Sequence, residues 1–204
     1  MSFQLDPFQI KAIEWIEKEH SLLISAPTGS GKTLIAEKAV EKALSRGEQV
    51  IYTAPIKALS NQKFRDFQIR FGKESVGILT GDVSINPGAP LLIMTTEIYR
   101  NSLFENEERI RKIGWVIFDE VHYLDDVERG TVWEEALLFT PPEIRILALS
   151  ATIPNVQELA AWIQQIHQRP IAVIEETHRP VPLHFLFQCQ GQIPVKKRGE
   201  WSDA

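Results

Sequence analysis

The sequence predicts an α/β fold in which a mostly parallel sheet carries helices on both faces. Apolar runs of strand length recur along the chain, and amphipathic stretches of helix length separate them. The runs are apolar throughout rather than alternating, which indicates strands that are buried on both sides. With 204 residues, of which 44% are hydrophobic and 24% charged, the chain can form one large domain with its own core.

The pattern predicts each element in turn. Strands are predicted at 22–24, 50–52, 76–79, 91–94, 116–118, 146–149 and 171–174. Helices are predicted at 7–19, 32–45, 57–71, 97–104, 131–139 and 156–167. Asp6 followed by Pro7 is typical of a helix start, and Arg46 with Gly47 is typical of a helix end.

Two prolines within three residues, Pro180 and Pro182, mark a break late in the chain. We expect residues 1–177 to form the domain and residues 178–182 to be a linker that leaves it. An alternating run at 183–187 has the pattern of a strand, whereas the rest of the tail is polar and weakly patterned. The tail is too short to be a second domain.

Composition excludes several classes of protein. Twenty-two Lys and Arg against 27 Asp and Glu give a net charge of −5, so any nucleic-acid site must be local. Cys189 is the only cysteine, which excludes an internal disulfide and a thiol zinc cluster and indicates a reducing compartment. The sequence has neither a signal peptide nor an apolar run of the ~20 residues that span a bilayer. We expect a soluble, cytoplasmic protein with no membrane partner.

Residues 26–33, Ala-Pro-Thr-Gly-Ser-Gly-Lys-Thr, lie between a buried strand and a helix, as a phosphate-binding loop does. Lys32 would reach the β and γ phosphates, and Thr33 would hold Mg²⁺. Ala26 stands where the general pattern has its first glycine. An ordinary glycine-rich turn is the alternative, but the Gly-Ser-Gly-Lys-Thr core favours nucleotide binding. The candidate nucleotide-binding residues of the loop are Thr28, Gly29, Ser30, Gly31, Lys32 and Thr33.

Polar residues follow two further buried strands. Asp119 could bind Mg²⁺ through water molecules that the ion retains. Glu120 could orient and deprotonate an attacking water. Ser150 and Thr152 would bring two hydroxyls beside His122 at the same edge of the sheet, and we assign these three residues to a coupling group. Each motif alone also fits a loop start or a helix cap. Their order on successive buried strands favours catalysis, with Lys32, Asp119 and Glu120 as the catalytic residues.

From about residue 3 to residue 182 the sequence resembles the superkiller-like group of DExH-box helicases in superfamily 2. This resemblance implies a RecA-like P-loop NTPase fold with ATP and Mg²⁺ as cofactors. The matching stretches are 3–9 (Phe-Gln-Leu-Asp-Pro-Phe-Gln), the phosphate loop, 53–63, 80–82 (Thr-Gly-Asp), 95–100, 119–122 (Asp-Glu-Val-His), 129–130 with 133–134, and 150–155 (Ser-Ala-Thr-Ile-Pro-Asn).

The resemblance also implies roles for the first residues of the chain. Gln9 would read the adenine edge, since an amide offers both a donor and an acceptor. Phe3 would stack on the base. The structural alternative is a capped first helix with an apolar plug at its start.

A nucleic-acid strand would cross the segment after Tyr52, the turn at 80–82 and the helix that begins near Thr96. Hydroxyls and backbone amides there suit phosphate oxygens, so binding should not depend on sequence. Residues 53–73 form a local basic stretch, although Arg65, Arg70 and Lys73 also fit a solvated helix face. The candidate contacts are Lys57, Thr80, Gly81, Thr96 and Arg100.

The leading hypothesis is one motor half of an ATP-dependent RNA helicase. Single-stranded RNA is preferred over DNA because the runs at 81–87 and 125–135 resemble RNA-directed members of the group. Such helicases need a second RecA-like domain, and nothing after Pro182 resembles one, so we expect residues 178–204 to be a linker and the start of a missing second RecA-like domain. The chain would then be either an excised piece of a longer protein, which we favour, or a naturally truncated protein. The alternatives are a DNA helicase of the same family, a nucleotide-gated RNA-binding module without turnover, and a small-molecule kinase or NTPase.

Overall fold

A computed structural model of the chain describes residues 5–105, 110–126 and 130–179, together with the backbone of two short strands near the end. The helices are α1 (Pro7–Glu17), α2 (Lys32–Ser45), α3 (Lys57–Phe71), α4 (Thr96–Glu105), α5 (Gly130–Phe139) and α6 (Val156–His167). The strands are β1 (Ser21–Ser25), β2 (Gln49–Ala54), β3 (Val76–Leu79), β4 (Ser84–Ile85), β5 (Leu91–Thr95), β6 (Ile113–Asp119), β7 (Arg145–Ser150), β8 (Ile171–Glu175), β9 (Val195–Lys197) and β10 (Glu200–Ser202). Two 3-10 helices, Lys73–Ser75 and Val121–Asp125, complete the described elements.

Eight of the strands form one sheet in the order β4-β3-β5-β2-β6-β7-β1-β8. All neighbours pair in parallel except β3 and β4. Because parallel strands need crossover connections, the intervening helices cover the sheet on both sides. The mostly parallel α/β fold predicted from the sequence is confirmed.

The core has two layers, one on each face of the sheet. Leu22 and Ile24 of β1 pack with α1, α2 and α3, whereas Leu23 faces the opposite layer, formed with α4, α5 and α6. Trp133 of α5 and Tyr99 of α4 are among the largest fully buried side chains of that second layer. The continuous apolar character of the strands is therefore explained by burial on both faces.

Every strand and helix predicted between residues 7 and 174 is present, with small differences at the ends. The first helix ends at Glu17 rather than at residue 19, because Glu19 takes a left-handed conformation (φ 61°) and His20 N–H donates to the carbonyl of Trp15. Asp6 precedes the helix in an extended conformation, and its N–H donates to Gln9 Oε1 at 3.0 Å. The predicted helix start at Asp6 and Pro7 is confirmed.

Three strands were missing from the sequence prediction. β4 has only two residues and follows a turn in which Thr80 N–H donates to the carbonyl of Val83. β9 and β10 form an antiparallel hairpin in the tail, which its weak pattern does not indicate. The predicted strand at 183–187 and residues 180–182 of the linker lie outside the described residues, so the domain boundary after residue 177 stays a prediction.

No helix within the described ranges is long and apolar enough to cross a membrane. The cytoplasmic location stays a prediction.

A cluster of ion pairs, which we call the lower-edge cluster (Glu19, Arg46, Glu48 and Arg145), joins the amino ends of β1, β2 and β7. Arg145 lies 2.9 Å from Glu19 and 3.0 Å from Glu48, and Arg46 pairs with both acids. A side-chain carbon at Gly114 would lie 2.1 Å from Glu48 Oε2, so a larger residue at this position would displace the Glu48 side chain from the cluster. The cluster stands at the end of the sheet opposite to the phosphate loop.

His167 links two helices of the second core layer and makes the fold sensitive to acid. Its Nε2 lies 2.9 Å from the carbonyl of Leu137, and its Nδ1 is buried without a hydrogen-bond partner among the described residues. Burial lowers the pKa of His167 below its ordinary value of 6.5, outweighing the hydrogen bond to Leu137. The fold therefore favours the neutral ring, whose contribution to stability is complete above pH 6.5 and is lost as the pH falls below it.

We expect His167→Gln to reduce the loss of unfolding free energy between about pH 7.5 and about pH 5.5, because glutamine keeps a donor and does not titrate. Urea unfolding at the two pH values measures the loss. His178→Gln, at an exposed position, is the matched control and should behave as the parent. Equal pH dependence in His167→Gln and the parent would show that His167 is not responsible.

Candidate active site and nucleic-acid groove

The three polar motifs meet at one edge of the sheet because their strands are neighbours. β6, β7 and β1 are consecutive and parallel, with Asp119 opposite Leu149 and Ser150 opposite Ser25. The phosphate loop (residues 26–33), the acidic segment (residues 119–122) and the hydroxyl segment (residues 150–152) therefore all lie at the carboxyl ends of adjacent strands. This convergence was predicted and is confirmed.

The phosphate loop takes its shape from two glycines. Gly29 and Gly31 have φ angles of 85° and 87°, a region that other residues rarely adopt. Ala26 needs no such freedom: it is buried, and its N–H donates to the carbonyl of Ser150 as a continuation of β1. The missing first glycine is thus explained, and the exposed residues of the loop begin at Thr28.

Lys32 begins α2, and its ammonium turns back into the loop. Nζ donates to the carbonyls of Ala26 at 2.7 Å and Pro27 at 3.2 Å, and these are contacts that phosphate oxygens could replace. Burial lowers the pKa of Lys32. The carboxylates of Glu120 and Asp119 oppose that shift, while the positive charges of Arg179 and Lys63 add to it. Lys32 therefore has both positively and negatively charged side chains near it around the loop.

The acidic segment leaves β6 with an unusual backbone. Asp119 ends the strand at 9% exposure, and Glu120 follows in a left-handed conformation (φ 61°, ψ 44°) that is uncommon for a residue with a side chain. The bend turns the Glu120 carboxylate out of the sheet, and its Oε2 lies 3.4 Å from His122 Nδ1. Asp119 and Glu120 thus point in different directions, as two separate roles require.

Two residues that no sequence motif assigns to the site contact Asp119. Tyr52, at the centre of the neighbouring β2, donates its hydroxyl to Asp119 Oδ2. Burial raises the pKa of Tyr52, and the Asp119 carboxylate raises it further, so the phenol keeps its proton as a donor. Lys63 of α3 lies 3.9 Å from Asp119 Oδ2 and 2.8 Å from Thr33 Oγ1. By sequence alone Lys63 is one member of the basic stretch, and no spacing rule could have predicted its direction.

The hydroxyl segment is held by backbone contacts rather than by its own hydroxyls. Ser25 Oγ donates to the carbonyl of Ala151 and accepts from the N–H of Ile153, both at 3.3 Å. His122 Nδ1 accepts from Ala151 N–H at 3.4 Å. Ser150 is fully buried, with no hydrogen bond to its Oγ from any described residue, and Thr152 is exposed. The predicted link between His122 and residues 150–152 therefore runs through the Ala151 amide.

Gln9 lies against the phosphate loop. It is 4% exposed, its Oε1 accepts from Asp6 N–H, and its Nε2 donates to the carbonyl of Ser30 at 3.1 Å. A side-chain carbon at Gly31 would lie 2.5 Å from Nε2, so the amide also fixes the space above the loop. Each amide atom retains capacity for one more hydrogen bond, so adenine recognition by Gln9 stays a prediction. Phe3 lies outside the described residues.

The residues proposed to hold Mg²⁺ have suitable chemistry. Thr33 supplies a hydroxyl and Asp119 a carboxylate, both hard oxygen ligands, and the Lys63 ammonium already bridges them. The described residues include no group of three or more His, Cys, Asp or Glu that could hold a metal. Such a sparse protein ligand set fits Mg²⁺, which is commonly held by one or two protein groups together with waters and substrate phosphates.

A groove of about 450 Å³ opens beside this site, between α3, the turn after β3, α4 and α5. Three of the five predicted nucleic-acid residues line it: Lys57, Gly81 and Thr96. Lys57 Nζ lies 2.8 Å from Asp82 Oδ1, and a side-chain carbon at Gly81 would lie 3.9 Å from Nζ. The hydrogen bond and charge of Lys57 help to hold the pKa of Asp82 below its usual range. The pair forms one side of the groove.

The other two predicted contacts are engaged elsewhere. Thr80 is buried and donates to Asp82 Oδ1 at 3.1 Å. Arg100 pairs with Glu135 of α5 at 3.4 Å, although its Nε is buried without a partner among the described residues. In the basic stretch, Arg70 pairs with Glu37 and Glu41 of α2, as a structural role requires. Arg65 and Lys73 are exposed.

Comparison with known proteins agrees with this geometry. The sequence profile of the DEAD/DEAH box helicase family matches residues 6–159. The chain is 54% identical over 186 residues to an uncharacterized helicase of Schizosaccharomyces pombe, C17H9.02, covering 91% of this chain and 18% of that protein. It is 52% identical to the ATP-dependent RNA helicase mtr4 of the same yeast, with coverage of 91% and 16%. The human superkiller complex protein 2 is 52% identical over 198 residues, with coverage of 94% and 16%.

These relatives are much longer than the chain, which spans less than a fifth of each. Among solved structures, the DUF1998 helicase MrfA bound to DNA superposes with a TM-score of 0.69 at 18% identity, covering 94% of this chain and 28% of that one. That likeness supports the RecA-like helicase fold alone. With the family profile covering most of the described residues and all three motifs in place, the chain belongs to the DEAD/DEAH box helicases, and its relatives at about 50% identity are of the superkiller and mtr4 type.

Proposed function

We propose that this chain is the ATP-binding and ATP-hydrolysing motor domain of an RNA helicase. The observation that carries the proposal is the convergence of the phosphate loop, Asp119, Glu120 and the Ala151 amide at the ends of three adjacent strands. The names of the relatives, an ATP-dependent RNA helicase and a superkiller complex protein, support the choice of substrate.

Each residue of the site has its own role in the transfer of a phosphoryl group from ATP to water. Lys32 binds the β and γ phosphates in exchange for its contacts with Ala26 and Pro27. Thr33 and Asp119 hold Mg²⁺, which supplies positive charge to the phosphate oxygens when bound. Gln9 reads the adenine edge, and Phe3 stacks on the base.

Glu120 acts as the general base. Its left-handed backbone turns the carboxylate away from Asp119, so it can accept a proton from a water that approaches the γ phosphate. His122 lies between Glu120 and the Ala151 amide, at 3.4 Å from each. Because Nδ1 can accept from the amide or donate to the carboxylate but not both, His122 suits a link between hydrolysis and segment 150–152, and Ser150 and Thr152 complete that coupling group.

The groove beside the site binds single-stranded RNA in preference to DNA, through phosphate contacts that do not read sequence. Lys57, Gly81 and Thr96 line it, and Thr80 and Arg100 reach the strand after rearranging their contacts with Asp82 and Glu135. The single domain hydrolyses ATP slowly and does not unwind. Full activity requires a second RecA-like domain, because an arginine from a facing domain contributes ~10³ to 10⁵ in rate.

Lys32→Ala should weaken the binding of ATP with Mg²⁺ by roughly ten- to hundred-fold, because the variant loses a hydrogen bond between two charged groups. Isothermal titration measures the affinity. Lys38→Ala, which removes a lysine of the same helix that pairs with Glu41 on the surface, should leave it unchanged. Equal affinities of the Lys32 variant and the parent would remove the phosphate loop from the proposal.

Glu120→Gln should leave nucleotide affinity nearly unchanged and slow hydrolysis by roughly 10² to 10⁴, the usual contribution of a general base. Phosphate release under single-turnover conditions, with and without single-stranded RNA, tests this step and the proposed function together. Glu14→Gln, at an exposed position of α1, is the control. A Glu120 variant that turns over at the parent rate would rule out this base, and a parent that releases no phosphate under any condition would leave only a binding module.

Lys57→Ala should weaken the binding of every single-stranded RNA to a similar extent and reduce the slope of log affinity against log salt by about 0.7, the share of one phosphate contact. Fluorescence anisotropy with two unrelated RNA sequences and a matching DNA measures both quantities. Lys73→Ala removes an exposed charge outside the groove and serves as control. If the salt dependence stays the same in Lys57→Ala, the groove is not the nucleic-acid site.

A further inference from the structure

A lysine of the third helix occupies the space between the two groups assigned to the metal. Lys63 Nζ lies 2.8 Å from Thr33 Oγ1 and 3.9 Å from Asp119 Oδ2. It also stands 5.7 Å from the centre of the Tyr52 ring, and its side chain is only 14% exposed. The ammonium thus has one hydrogen-bond partner, one ion-pair partner and one aromatic ring around it.

Asp119 explains why a cation is needed at this position. A carboxylate that is almost removed from water is destabilising unless an opposite charge compensates it. Tyr52 donates only a neutral hydrogen bond, and the Lys32 ammonium is directed to the carbonyls of Ala26 and Pro27. Among the described residues, the ion pair of Asp119 is with Lys63.

Lys63 and a metal ion make competing demands on the same atoms. Thr33 Oγ1 accepts a hydrogen bond from the ammonium, and an ion bound to the other lone pair of this hydroxyl would lie close to the ammonium. Two cations within about 4 Å also repel each other strongly in a partly buried site. A flexible lysine can withdraw, because its four-carbon side chain has many rotamers.

We propose that Lys63 is the internal counter-ion of the metal site: it neutralises Asp119 and holds Thr33 before the nucleotide arrives, and the metal that accompanies the nucleotide displaces it. The inference rests on the proposed function, since it takes Thr33 and Asp119 as the metal ligands. One consequence is that protein without nucleotide holds divalent metal weakly. A second is that metal entry acts directly on α3, whose first residue, Lys57, lines the groove.

The test is divalent metal binding in the absence of nucleotide, with Mn²⁺ as the probe and electron paramagnetic resonance as the readout. Lys63→Met keeps the length of the side chain and removes the charge. We expect it to bind Mn²⁺ at least about ten-fold more tightly than the parent, because one repelling charge near the site is gone. Lys63→Arg, which keeps the charge, should bind Mn²⁺ no more tightly than the parent.

Two further variants control for net charge and for folding. Arg65→Met removes an exposed cation from the same helix and should leave Mn²⁺ affinity unchanged, which separates a local effect from a change in net charge. If Lys63→Met does not fold, Lys63→Gln retains a donor for Thr33 without the charge and should show the same gain. Unchanged or weaker Mn²⁺ binding in the folded, uncharged variant would show that Lys63 is only a structural donor, and the proposal would fail.

Binding of ADP to the parent, with and without Mg²⁺, separates this failure from failure of the proposed function. A parent that binds ADP more tightly with Mg²⁺ has the expected nucleotide site, so an unchanged Mn²⁺ affinity in Lys63→Met would then overturn the counter-ion inference alone. A parent that binds no ADP under either condition would overturn the proposed function and this inference with it.

Discussion

Parallel pairing of β6 with β7, and of β7 with β1, sets the separations between all the groups of the site. Adjacent strands lie about 4.8 Å apart, so the end of β6 and the end of β1 are held within roughly 10 Å of each other. Asp119 pairs with Leu149, and the next residue of β7, Ser150, pairs with Ser25, so the three side chains stand within one position of each other along the strands. The loops beyond these positions differ in shape, but each begins from a point that the backbone hydrogen bonds of a buried sheet keep fixed.

The carboxyl ends of these strands bring together charged side chains, each of which would destabilise the fold if it were buried without the others. Lys32 and Lys63 stand close enough to Asp119 and Glu120 for each sign to compensate the other in a region partly removed from water. Tyr52 adds a buried phenol that remains a donor, because burial raises its pKa. Removing any one of these charges therefore alters the environment of the others, and their individual contributions cannot simply be added.

The fold and the phosphate loop follow from the sequence because both depend on local chemistry. Buried strands need apolar residues on both faces, and the turns at Gly29 and Gly31 need a φ that glycine adopts freely. The partners of long side chains do not follow in this way. In the sequence, Lys63 is one member of a basic stretch. Only the packing of α3 against the sheet brings its side chain to Asp119. The sequence predicts Arg100 to contact phosphate, yet in the structure it pairs with Glu135, which lies 35 residues further along the chain in another helix.

The lower-edge cluster at the opposite end of the sheet divides the domain into two regions with different tolerance for change. It joins the amino ends of β1, β2 and β7 through Arg145, at the opposite end of the strands from the candidate site. Protein engineers could therefore adjust the thermal tolerance of this domain from one end of the sheet while leaving the candidate site at the other end unchanged. A fluorescent label or a surface tether attached beside the cluster would likewise report on the molecule without contacting the candidate site.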